Sequence, residues 1–82
     1  MTPSFNQPVL RLYSTSGCHL CEQAAVLIAR QTSLTCQWME IADDTALLER
    51  YGVRIPVLSR LDTGQELDWP FDAQAVARLL AV

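Results

Sequence analysis

Five residues, Gly17-Cys18-His19-Leu20-Cys21, constrain this chain most, because of what flanks them. Upstream, Val9 to Ser14 (VLRLYS) alternates, with Val9 and Arg11 facing opposite to Leu10 and Leu12, the period-two pattern of a strand. Downstream, from His19 to Gln31, Leu20, Ala24, Leu27 and Cys21, Ala25, Ile28 recur at i, i+4 and i+7, the pattern of one helix face. Thr15, Ser16 and Gly17 form a short polar turn between the two. A strand that turns into a helix is half of a crossover unit, which a second strand completes. Leu34 to Ile41 (LTCQWMEI) supplies that strand, with Cys36 and Trp38 on one face.

The later segments extend the pattern. Thr45 to Tyr51 predicts a short helix, capped by Asp43 or Asp44 and closed by Gly52 in a left-handed conformation. Ile55 to Ser59 (IPVLS) predicts a third strand that opens on a proline, where a missing donor is tolerated. Leu61 to Gly64 turns into a fourth strand, Gln65 to Leu67, with Gly64 at the position that wants positive φ. Asp72 caps a last helix, Ala73 to Ala81, with Phe71, Ala75, Val76, Leu79 and Leu80 as its buried stripe. The expected order is β-α-β-α-β-β-α. This is an α/β fold with a four-stranded mixed sheet, its first crossover parallel, its closing hairpin antiparallel and helices on both faces. Met1 to Pro8, polar with two prolines, is expected to form a flexible tail, and residues 9–82 a single domain.

Composition narrows the function. A chain of 82 residues holds one small domain. Half of it is hydrophobic and 18% charged, as in globular proteins. The net charge is -3, and the six basic residues are all arginines. They are scattered, which argues against nucleic acid as a partner. The longest apolar run, Ala24 to Ala29, is far short of the ~20 residues that cross a bilayer. Nothing before Val9 reads as a signal peptide, so a cytoplasmic location with no membrane partner is expected.

Three cysteines, an odd number, do not fit a disulfide framework. A C-x-x-C between a strand and a helix reads instead as a redox dithiol. Cys18, at the start of the helix, meets unpaired N–H groups and the helix dipole, both of which favour a thiolate. Cys18 is therefore expected to attack and Cys21, three residues on, to resolve. His19, if protonated, would add to the stabilisation of that thiolate and tune the couple. Zinc needs about four ligands, and Cys18, Cys21, Cys36 and His19 are the candidates. His19 lies inside the C-x-x-C, where its geometry to the same ion is awkward, Cys36 is expected in the sheet core and there is no second C-x-x-C, so no metal site is expected. Cys36 reads as a small hydrophobe in the sheet core. Arg54, two residues before Pro56, is a candidate contact for a substrate carboxylate.

Three stretches together, LYSTSGCHLC at 12–21, YGVRIPVL at 51–58 and GQELDWPFD at 64–72, resemble the small bacterial glutaredoxin-like proteins of the thioredoxin fold. The resemblance runs from about Leu10 to Leu80. It implies that Cys18 is the exposed nucleophile and Cys21 the resolving thiol. It also implies that Pro56 is cis beside the dithiol, with the Ile55 backbone hydrogen-bonding a bound thiol peptide. The expected activity is thiol–disulfide exchange with a disulfide-containing protein or with glutathione, a candidate co-substrate, and without a tightly bound cofactor. The alternative is a non-enzymatic role, in iron–sulfur handling or as a redox-sensing adaptor. Glutaredoxins commonly place Pro-Tyr between the cysteines, where this chain has His19-Leu20. The upstream lysine and the Gly-Gly-x-Asp-type segment are also missing. These departures touch the parts that grip glutathione in that family.

Overall fold

Strand β1 (Leu10–Ser14) lies inside the sheet, with a neighbour on each side. It runs parallel to β2 (Cys36–Glu40) and antiparallel to β3 (Val57–Arg60), which pairs antiparallel with β4 (Gln65–Asp68). The sheet order is β2-β1-β3-β4. Helices α1 (His19–Gln31), α2 (Thr45–Tyr51) and α3 (Ala73–Leu80) complete the expected β-α-β-α-β-β-α order. This computed structural model describes residues 10–81; the tail expected over residues 1–8 lies outside them, as does Val9.

Alternation along β1 creates two cores. Leu10 and Leu12 face one side with Leu58 of β3, and pack against Ala24 and Ile28 of α1 and Val76 and Leu79 of α3. Tyr13 and Val57 face the other side, against Ile41 and Tyr51. The Tyr13 and Tyr51 rings stack with centroids 4.0 Å apart. A strand covered on both faces can be apolar at successive positions, which is why β1 carries Leu12 and Tyr13 side by side. Leu10, Leu12 and Leu58 are fully buried, each worth roughly 1.5–3 kcal/mol of transfer free energy.

The ends of the elements are tied as the sequence suggests. Asp44 caps α2, accepting from the Ala46 and Leu47 N–H groups at 2.9 and 3.2 Å. Asp72 caps α3, accepting from Ala75 N–H at 2.8 Å. Arg60 donates to Asp62 and, at 2.7 Å, to the Leu79 carbonyl, joining the β3–β4 turn to the last turn of α3. Gly64 takes φ +77° in the β3–β4 turn. Among the described residues, no helix is long and apolar enough to cross a membrane.

Three expectations change. Strand β3 begins at Val57 and not at Ile55, so Pro56 precedes the strand and does not open it. Gly52 closes α2 in a right-handed conformation, φ -52° and ψ -39°, not a left-handed one. Its requirement is space: a methyl group there would lie 2.5 Å from the Leu48 carbonyl oxygen. Strand β2 is shorter than expected and forms an edge of the sheet, so Cys36 is half-buried and Trp38 is 49% exposed. Chain order alone does not say which strand is outermost; Cys36, expected in the sheet core, lies on an edge strand and packs against the core only partly buried.

Candidate active site

The dithiol is positioned by a glycine and a helix start. Gly17 takes φ +76°, a left-handed conformation that residues with a Cβ rarely adopt. The chain then reaches Cys18 in extended conformation, φ -85° and ψ 103°, as the N-cap of α1. Its carbonyl accepts from Glu22 N–H at 3.3 Å, the first bond of the helix. Its sulfur takes the place of the usual hydroxyl or carboxylate cap and accepts from Cys21 N–H at 3.1 Å. The two Cα atoms are 5.2 Å apart and the cysteines are joined as a disulfide. Cys18 is half-buried and Cys21 is 0% exposed, so the outer sulfur alone is open to a partner.

His19 points outward, its side chain 90% exposed, with Nδ1 4.0 Å from a Glu22 carboxylate oxygen. On the inner side, a cleft of about 260 Å³ runs beside Cys18, bounded by the Ser14–Gly17 segment, Glu22, Trp38 and Glu40. Glu40 was not singled out in the sequence. The parallel register sets it opposite Ser14. One carboxylate oxygen accepts from the Ser16 N–H and hydroxyl, both at 3.1 Å, and the other from Ala42 N–H at 3.0 Å. It thereby fastens the turn that delivers Cys18 to the end of β2. A lone glutamate closing a strand carries no sequence signal for this role; only the register reveals it.

Hydrogen bonds from Ala42 N–H first, then from Thr15 and Ser16, hold the Glu40 carboxyl below its ordinary value of 4.5. A carboxyl whose folded value is depressed contributes its tether above the unfolded value and loses it as pH falls through the folded one. The Ser16 and Ala42 amide resonances are expected to titrate together, with a shared midpoint below 4.5. Separate midpoints, or a shared one above that value, would contradict the tether.

The Ile55–Pro56 segment lies just before β3. Because Tyr13 pairs with Val57, Pro56 lies at the same end of the sheet as Ser14 and the Cys18 turn. Pro56 is buried, and its carbonyl accepts from Trp69 N–H at 3.1 Å. The Ile55–Pro56 peptide bond is cis, and so is Trp69–Pro70. The Ile55 N–H donates to the Tyr51 carbonyl at 3.1 Å, so it is not the free donor expected from the sequence. The chain leaves α2 too tightly to free that group.

Arg54 is also committed. Its Nε and Nη2 donate to both carboxylate oxygens of Asp68, at 3.0 and 2.7 Å, and Nη2 reaches Glu66 at 3.1 Å. Glu66 in turn accepts from the Tyr51 hydroxyl. The guanidinium expected to meet a substrate carboxylate meets two of the protein's own, and it holds the Asp68 carboxyl below the usual carboxylate range. Arg54 thus joins the end of α2 to β4. Cys36 sits opposite Leu10, at the far end of β2 from the dithiol. It lines a second groove of about 430 Å³ against α1, and burial pushes its thiol up to about 11. Among the described residues, no cluster of three or more His, Cys, Asp or Glu is placed to hold a metal.

A β2-β1-β3-β4 sheet with a cysteine pair at the N-terminus of α1 defines a dithiol protein of the thioredoxin-like fold. The chain belongs to the glutaredoxin-like domain family (DUF836), which it matches over residues 9–81. It is similar to target protein XcR50 from X. campestris, whose X-ray structure is 43% identical over 88% of this chain and 95% of that one, with a TM-score of 0.81. The solution structure of that target gives 42% identity over 89% and 92%, with a TM-score of 0.80. Protein Ne2328 from Nitrosomonas europaea, at 24% identity over 98% and 99% and a TM-score of 0.73, shares the fold. A search of curated proteins found no match.

Proposed function

We propose that this domain is a cytoplasmic thiol–disulfide oxidoreductase in which Cys18 attacks and Cys21 resolves. The observation that carries the reading is the asymmetry of the pair: an accessible sulfur at a helix N-cap, bonded to one with no exposure. In the reduced protein, the N–H groups of the first turn favour the Cys18 thiolate over the thiol. That thiolate attacks one sulfur of a substrate disulfide, forming a Cys18–substrate bond as the substrate S–S bond breaks. The released thiolate takes a proton from water. Cys21, deprotonated, then attacks the Cys18 sulfur, and the second substrate thiolate leaves. The substrate gains two electrons and two protons, and the domain ends as the disulfide. His19 tunes the couple from the solvent side, and the Ile55–Pro56 segment lies at the same end of the sheet as the dithiol turn. A disulfide-containing protein or glutathione serves as the partner, and no resident cofactor is needed.

The test uses the reduced wild-type protein and the uncharged disulfide of mercaptoethanol. Mass spectrometry is expected to show loss of two hydrogens from Cys18 and Cys21, faster than an equal concentration of dithiothreitol is oxidised. A rate no greater than that of dithiothreitol overturns the assignment.

A further inference from the structure

The charges around the cleft bear on which disulfides can approach Cys18. Glu22 and Glu40 are the charged residues on its walls, and no basic residue joins them. The chain contains no lysine, and its arginines are spent elsewhere. Arg11 and Arg60 belong to the other end of β1 and β3, and Arg30 and Arg78 to the last turns of α1 and α3. Arg54 and Arg50 face Glu66 and Asp68, two positive charges against two negative ones. That group cancels, and His19, 4.0 Å from Glu22, points outward and does not line the cleft, which is left acidic. Glu40 cannot swing away to relieve this, because three donors fix its carboxylate. The remaining walls are the Ser14–Gly17 segment and Trp38, half-exposed at the edge of the sheet. An indole face beside two carboxylates attracts a cationic side chain through its ring quadrupole and through plain Coulomb attraction.

We infer that the domain selects peptide disulfides carrying a positively charged residue next to the cystine, and disfavours anionic disulfides such as that of glutathione. The inference rests on the exchange reading above; the dithiol makes the site, and Glu22, Glu40 and Trp38 decide what reaches it. Each half of glutathione disulfide brings two carboxylates and one ammonium. It therefore meets net repulsion from the cleft, with no basic group on the walls to offset it.

The experiment uses the Cys21→Ser protein, in which exchange stops once the Cys18–substrate bond has formed and the first thiolate has left. Three small disulfides of similar size serve as probes: cystamine (cationic), the disulfide of mercaptoethanol (neutral) and 3,3′-dithiodipropionate (anionic). Each rate is divided by that of dithiothreitol with the same disulfide, which removes differences in leaving-group reactivity. The normalised rates are expected to fall from cationic to neutral to anionic. The cationic-to-anionic ratio should be about three- to tenfold at low salt, the size expected of exposed charge contacts. It should shrink towards one near 1 M salt, where the Debye length is about 3 Å. Glu22→Gln is expected to lower the ratio about twofold. Asp62→Asn, an equal change of charge in the β3–β4 turn at the far end of the sheet, should leave it alone.

The outcomes separate the two readings. Mixed disulfide that forms with all three probes at equal normalised rates overturns the charge selection and leaves the exchange reading standing. A ratio insensitive to both salt and Glu22→Gln overturns it as well. No mixed disulfide with any probe removes both.

Discussion

Replacing Cys21 with Ser is expected to leave a protein that still attacks disulfides and accumulates a stable mixed disulfide at Cys18. Replacing Cys18 with Ser is expected to reduce attack to the level of a protein lacking both cysteines. The contrast follows from position rather than from residue type. Cys18 caps α1 at the edge of an open cleft, and its sulfur already receives the Cys21 N–H. Cys21 is one turn inward with no exposed surface, away from the orphan donors that favour a thiolate. Mass spectrometry after mixing each variant with a disulfide reads the result directly. If Cys18→Ser traps adduct at Cys21 as fast as Cys21→Ser does at Cys18, the assigned roles are wrong. If neither variant traps adduct while the wild type still closes its disulfide, the domain is a redox sensor.

The second large effect concerns the fold. Leu58→Ala is expected to cost about 2–5 kcal/mol, because the side chain is fully buried between Leu12, α1 and α3 and the void cannot collapse within a sheet. Domains are stable by only about 0.05–0.15 kcal/mol per residue, so this removes a large share of the total. At about 4–8 °C per kcal/mol for a domain of this size, the melting temperature should fall by roughly 8–40 °C. Trp38→Ala removes a larger side chain, but from the half-exposed edge strand, and should cost clearly less. Thermal unfolding of the two oxidised variants side by side checks the contrast. Equal losses would mean that the edge strand is as deeply packed as the centre.

The two variants also mark where sequence pattern is informative. The strand–turn–helix around Cys18, the cap at Asp72 and the hairpin glycine are local features that local chemistry places, and it narrows the α2 cap to Asp43 or Asp44. Leu58 falls within the third strand expected over Ile55 to Ser59. What escaped was set by pairing between distant segments. Glu40 meets Ser16 because β2 runs parallel to β1 in one register. Arg54 is spent on Asp68 because β4 folds back beside β3 and offers its carboxylate to the end of α2. Cys36 lies on an edge because β2 is the outer strand. Hydrophobic periodicity is silent on all three, since it does not say which distant segments become neighbours.

A sulfur that serves both as a helix cap and as the reacting atom binds secondary structure and redox chemistry into one equilibrium. Whatever frays the first turn of α1 withdraws donors from the Cys18 thiolate, and whatever consumes that thiolate alters the cap. Coupling of this kind is reciprocal: the free energy by which an ordered turn favours the charged sulfur equals that by which the charged sulfur favours an ordered turn. The Gly17 kink and the Glu40 tether therefore act on the chemistry through the order of the turn they hold, apart from any contact with a substrate.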